Sequence, residues 1–149
     1  MPIADLGDVQ LNYTLRGPTD APAVVFAHAL GTDQSIWDAV VGALPENLRI
    51  LTFDMRGHGA SSVPDAPYSM GTLIRDAERL MEVCEIRDSL FVGLSIGGMI
   101  AQGLAVKRLD LIRALVLSNT AAKIGTPEIW ARRMDAVRAN GLNAILDDT

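Results

Sequence analysis

The sequence has little of what several classes of protein require. Its 149 residues include one cysteine, Cys84, which excludes an internal disulfide framework and fits a reducing compartment. There are two histidines, His28 and His58; with Cys84 they lack the spacing of metal ligands, so no metal site is expected. No apolar run approaches the ~20 residues of a membrane span, and the opening MPIADLGDVQ lacks the basic-then-apolar character of a signal peptide. Lys and Arg number 13 against 18 Asp and Glu, a formal charge of −5, and no basic cluster offers a footprint for nucleic acid. These absences point to a cytoplasmic protein that engages neither nucleic acid nor membrane. The length suits one ordinary domain, which would bury roughly 68–70% of its unfolded surface.

What is present is the material of a core. Hydrophobic residues make up 49% and charged residues 21% of the chain, proportions of a globular protein. Apolar and polar residues alternate from Val9 to Leu15, an early antiparallel strand closed by Gly17-Pro18. The runs 23–28, 49–55, 89–94 and 111–119 are short, apolar and rich in β-branched or aromatic residues, as strands buried on both faces of a parallel sheet are. Helical stretches lie between them: 35–44; 70–84, with Met70, Leu73, Ile74, Ala77, Leu80, Met81 and Cys84 on one stripe; and 96–107, apolar nearly all round and so expected in the interior. Strands alternating with helices predict an α/β fold with a parallel sheet. Thr126-Pro127 starts a further helix and Asn140-Gly141 stops it, and another helical pattern begins at Leu142.

Three loops carry candidate chemistry. In GLSIGG the strand 89–94 meets the helix from 96 with only Ser95 between them, the spacing of a nucleophile elbow. Gly93, Gly97 and Gly98 would let the helix pack close, and the turn would lift the hydroxyl beside a helix N-terminus that favours negative charge. The plainer alternative is a glycine-rich turn with an incidental serine; the apolar flanks on both sides favour the nucleophile. An attack by Ser95 on a carbonyl needs two backbone donors for the oxyanion. Ile96 N–H is one, and the HALG loop after strand 23–28 offers Leu30 N–H as the other. His28 at that strand end is read as a brace for the loop rather than as a catalytic base. RGHG at 56–59 only loosely matches a dinucleotide fingerprint, since no helix follows it; it reads as a shaped turn with a structural His58. Cys84, on its apolar stripe, reads as buried and inert. Trp130, Arg133, Met134 and Val137 share one helical face, either an ordinary amphipathic face or an aromatic and a cation able to cover a pocket and hold an anion.

HALG, RGHGAS and GLSIGG, in this order, resemble the α/β-hydrolase superfamily. More narrowly, residues 31–38, 53–62 and 115–141 are similar to 3-oxoadipate enol-lactonases, the last of these stretches most specifically. His28 departs from that pattern and is closer to the loop of esterases and haloperoxidases. The resemblance implies that residues 1–122 are the front part of an α/β-hydrolase core and 123–149 the start of a helical cap. It implies a hydrolase that opens 3-oxoadipate enol-lactone without a cofactor, Ser95 attacking, Leu30 and Ile96 amides holding the oxyanion, and Trp130 with Arg133 binding a lactone or ester that carries a carboxylate. Serine, acid and histidine follow in that order in this fold, yet the residues after Ser95 hold Asp110, Asp135, Asp147 and Asp148 and no histidine. Acid and base are therefore expected beyond Thr149, and the expected partner is that remaining half or a second copy. The rival readings are a carboxylesterase or cofactor-free perhydrolase of the same fold, and a non-catalytic binding protein.

Overall fold

Alternate side chains of a strand leave its two faces, and in β3 (Ala23–Ala27) both faces are covered. Val25 and Ala27 join the larger buried cluster with Leu11, Leu51, Phe53 and Phe91, whereas Val24 and Phe26 pack with Trp37 and Ile50 on the other side. The computed structural model describes residues 2–144. Six strands form one sheet in the order β1-β2-β4-β3-β5-β6, namely β1 (Ile3–Asp5), β2 (Gln10–Arg16), β3, β4 (Arg49–Phe53), β5 (Ser89–Leu94) and β6 (Ile112–Ser118). The first two pairings, β1 with β2 and β2 with β4, are antiparallel, and the remaining neighbours are parallel.

Helices α2 (Met70–Val83) and α3 (Ile96–Lys107) lie over the larger cluster. The stripe read from the sequence is the buried face of α2: Ala77, Leu80 and Met81 are buried and Cys84 follows them inside. Burial pushes the Cys84 thiol up to about 11, so it stays protonated and unreactive at neutral pH. Ser69 caps α2 by accepting the Thr72 N–H at 3.1 Å. Helix α4 (Pro127–Asn140) begins at the expected Thr126 cap and ends at Gly141, whose φ of +73° suits a residue without Cβ.

Four expectations change. Residues 35–44 are not one helix but a 3-10 turn, Gln34–Trp37, running into the short α1 (Asp38–Ala43). Helix α3 buries only one face, through Gly97, Gly98, Ile100, Ala101 and Leu104, and leaves Val106 88% exposed; its apolar composition exceeds what the described residues cover. Strand β6 is the last in the order and keeps Val116 and Leu117 exposed, not buried on both faces. The pattern from Leu142 begins as a 3-10 turn over 142–144, and its continuation, with Asp147 and Asp148, lies outside the described residues. Among those described, no helix is long and apolar enough to cross a membrane.

Candidate active site

The strand order turns back on itself at β3, which lies between β4 and β5. In an open α/β sheet the crevice beyond the strand C-termini at such a point is where ligands bind. Ala27 pairs with Gly93 at the ends of β3 and β5, so the loop from His28 and the turn at Ser95 emerge side by side.

Ser95 sits at φ 55° and ψ −115°, outside the conformations a side chain ordinarily tolerates. Close packing imposes it. A Cβ on Gly93 would meet the backbone of Gly97 and Gly98 at 2.5 Å, and one on Gly97 would run into the Ala27 carbonyl. Ser95 N–H donates to Ser118 O at 3.0 Å, tying the turn to β6, and the Thr120 hydroxyl donates to Ser95 O at 2.7 Å. Gly98 N–H and Met99 N–H also donate to that carbonyl. The Ser95 Oγ has no hydrogen-bond partner among the described residues.

A cavity of about 270 Å³ opens at this turn, lined by Leu30, Met70, Ser95, Ile96, Met99, Ile124 and Trp130. Four of the five site residues read from the sequence thus meet at one surface. Among the described residues, neither Leu30 N–H nor Ile96 N–H donates a hydrogen bond to another group. Trp130 turns its ring to the cavity while its Nε1–H donates to Ile124 O at 2.7 Å. Arg133 does not line the cavity; it is half-buried, with its guanidinium 5.7 Å from the centre of the Trp130 ring.

Neither histidine is presented as a base. His28 is fully buried, its Nδ1 facing Ala29 O at 2.8 Å and its Nε2 accepting Met55 N–H at 3.0 Å; burial is the main cause that lowers its pKa, so it stays neutral. His58 faces Arg56 O through Nδ1 and Gly31 N–H through Nε2. Asp110 is held by Arg108 before β6, at the sheet end opposite Ser95, and Asp135 pairs with Arg138 on the exposed α4. Among the described residues no three His, Cys, Asp or Glu side chains converge as metal ligands.

Sequence reading passed over the groups that hold these loops. Asp54, 2% exposed, accepts from Asn12 Nδ2, Gln34 N–H and Ala60 N–H at 2.7, 2.8 and 2.9 Å, joining the loops after β3 and β4. Arg56 forms a two-point ion pair with Asp76 of α2 at 2.6 and 2.8 Å and reaches Asp8 at 3.1 Å. The available signal was an aspartate and an arginine directly after an apolar strand, where a buried charge needs a partner. Thr120 left no signal, because its role depends on β6 ending beside β5.

A family model described as alpha/beta hydrolase fold matches residues 22–143. The 3-oxoadipate enol-lactonase 2 of Acinetobacter baylyi is 38% identical over 138 residues, 93% of this chain and 52% of the relative. The solved enol-lactonase from Burkholderia xenovorans LB400 superposes with a TM-score of 0.93 at 39% identity, covering 99% of this chain and 57% of that one. A thermophilic esterase from Thermogutta terrifontis gives 0.85 at 27% identity, with 98% and 54% covered. The chain thus spans about half the length of the curated relatives it matches. With its mixed sheet, flanking helices and elbow at Ser95, the chain belongs to the alpha/beta hydrolase fold family.

Proposed function

We propose that this chain supplies the nucleophile half of a serine hydrolase that opens 3-oxoadipate enol-lactone to 3-oxoadipate in aromatic catabolism. The observation that carries the reading is Ser95, held at positive φ on a cavity wall beside the uncommitted amides of Leu30 and Ile96. Ser95 Oγ attacks the lactone carbonyl, and the two N–H groups hold the oxygen that becomes negative. Collapse breaks the ring C–O bond. The enol oxygen released, still part of the acyl chain, takes up the proton that Ser95 gave to the base, and the enol tautomerises to the 3-oxo group. Water then frees the carboxylate and restores Ser95. No cofactor enters these steps. With both histidines engaged as braces, the base and its acid are assigned to the half of the relatives' length that this chain does not span. Residues 1–122 are the front of the catalytic body and 123–149 the start of a cap.

The names of the two enol-lactonase relatives support the substrate. Trp130 lines the cavity as an apolar wall, and Arg133, whose guanidinium lies over its ring, is the candidate to hold the substrate carboxylate, which a guanidinium binds by two parallel hydrogen bonds. A general esterase is the second reading, favoured by the cavity, whose lining apart from Ser95 is apolar. The mainly apolar groove of about 440 Å³ over Val24, Phe26, Leu90, Val92 and Val116, the last of them on β6, suits the remaining half of the hydrolase body.

Complementation tests this. The chain is mixed with the C-terminal segment of the Burkholderia xenovorans enol-lactonase that it does not match. Turnover of the enol-lactone is expected from the mixture and from neither part alone, with Ser95→Ala abolishing it. Turnover of neutral esters but not of the lactone selects the esterase reading. Turnover that survives Ser95→Ala rejects both.

A further inference from the structure

The two histidines share a geometry that fixes which nitrogen carries the proton. A carbonyl can only accept and a backbone N–H can only donate. His58 Nδ1 faces Arg56 O at 3.0 Å, so Nδ1 holds the proton; Nε2 faces Gly31 N–H at 3.1 Å, so Nε2 is bare. His28 repeats the arrangement with Ala29 O and Met55 N–H, and the two rings meet edge to face with centroids 5.3 Å apart. Each ring thereby joins the loop after β3 to the loop after β4, one from each side.

We propose that His58 is a positioning residue for the oxyanion site, aiming the Leu30 amide by accepting the hydrogen bond of Gly31. Gly31 has φ +78°, and Thr32 N–H is already turned back to Ala29 O. With the Gly31 and Thr32 amides committed, Leu30, a residue of the cavity wall, keeps an N–H that donates to no group among the described residues. His58 can direct the loop because its own base is immobile. Arg56, whose carbonyl holds Nδ1, is 4% exposed and clamped by Asp76 of α2 and by Asp8. Rigidity at the donor matters because an oxyanion site works by being preorganised before charge develops.

This inference rests on Ser95 being the nucleophile, and its test separates the two ideas. In the chain itself, the imidazole nitrogen shifts of His58 are measured by NMR above neutral pH. A protonated Nδ1 and bare Nε2 are expected, the reverse of the form a free histidine side chain prefers; a bare Nδ1 overturns the proposal. In the complemented enzyme, His58→Phe keeps a ring without an acceptor, and His58→Gln restores an acceptor near Nε2. His58→Phe should lower kcat toward the ~10²–10³-fold that loss of a whole oxyanion donor costs, with KM little changed, and His58→Gln should recover most of it. An unchanged kcat in His58→Phe, while Ser95→Ala is dead, overturns the positioning role and leaves the hydrolase reading intact. If Ser95→Ala stays active the hydrolase reading fails instead, and the ring-nitrogen measurement alone decides the His58–Gly31 bond. Should His58→Phe not fold, the kcat of His58→Gln decides: near the parent value it supports the role, and a loss as deep as that of Ser95→Ala overturns it.

Discussion

Thr120 donates its hydroxyl to the backbone carbonyl of Ser95 across 2.7 Å, and its side chain fills the space a Cβ on Gly98 would need. The Ser95 carbonyl and the Ile96 N–H are opposite ends of one planar peptide unit. A hydroxyl that fixes one end therefore aims the other. Thr120→Val keeps the shape and removes the bond. The carbonyl still accepts from Gly98 and Met99, so the stability cost should be only about 1 kcal/mol, a fall of about 3 °C in Tm. In a complemented enzyme kcat should fall ~10-fold, less than the loss of a whole donor. A change in Tm without a change in kcat would confine Thr120 to packing.

Gly97 is where α3 passes closest to β3. The obstacle to a Cβ there is the backbone carbonyl of Ala27, with His28 O at 2.9 Å behind it, and a backbone group cannot rotate aside. Gly97→Ala should cost about 3 kcal/mol, the upper part of the range for overpacking. The measurement is the urea midpoint, which should move with the slope unchanged. A loss below about 1 kcal/mol would mean that the helix shifts freely and that the elbow is not held by this contact.

The frame was legible in the sequence because its signals are local. The stripe from Met70 to Cys84 needs only helical periodicity, the Thr126 cap needs three residues, and the elbow needs five. Ser95, Leu30, Ile96 and Trp130 could be nominated from motif spacing and family likeness, and all four line one cavity. Non-local relations were not legible. That Arg133 lies over Trp130 instead of on the cavity depends on side-chain rotation about α4. That β6 leaves Val116 exposed depends on what stands beside it, and an apolar run reads the same whether or not a neighbour is present. The braces formed by Asp54, His58 and Thr120 join residues up to 42 positions apart, the separation of Asn12 and Asp54, and no short window contains both ends.

Arg56 and Asp76 are a buried ion pair, 4% and 2% exposed. Removing one member strands the other charge away from water, which typically costs 3–5 kcal/mol. Arg56→Met should therefore lower stability by about 4 kcal/mol, and adding Asp76→Leu should return a good part of it. If the double variant is no more stable than the single one, Arg56 acts through its packing on Tyr68, over whose ring it lies at 5.4 Å, and not through the pair.

Acid should weaken the fold in two stages. His28 has its pKa lowered chiefly by burial from 6.5, so the unfolded chain binds the proton more readily. Its contribution is fully present above about pH 6.5 and is lost as pH falls through the lower folded value. Asp8 is lowered from 3.8 to about 2, first by Arg79 and then by Arg56. Its contribution is present above pH 3.8 and disappears as pH falls toward 2. Asp8 is 45% exposed, so salt should shrink that second stage. Urea midpoints against pH for the parent and Asp8→Asn should converge at the acid end. Parallel curves down to pH 2 would show that Asp8 is not ion-paired in solution.

The last prediction reads the strain at the nucleophile. A side chain at φ 55° costs of order 1–3 kcal/mol, which surrounding structure must hold in place; Ser95 meets that cost through the Ser118, Thr120, Gly98 and Met99 hydrogen bonds. Ser95→Ala and Ser95→Gly both remove the hydroxyl, so their difference isolates the backbone. At an ordinary helix or strand position glycine is the less stable of the two by roughly 0.5–1 kcal/mol. At Ser95 the order should invert, with Ser95→Gly more stable than Ser95→Ala by about 1 kcal/mol. The comparison needs no activity, because it is read from urea midpoints of the chain itself. The ordinary order would mean that the turn is relaxed in solution, and the elbow would then lack the backbone that lifts its hydroxyl to the cavity.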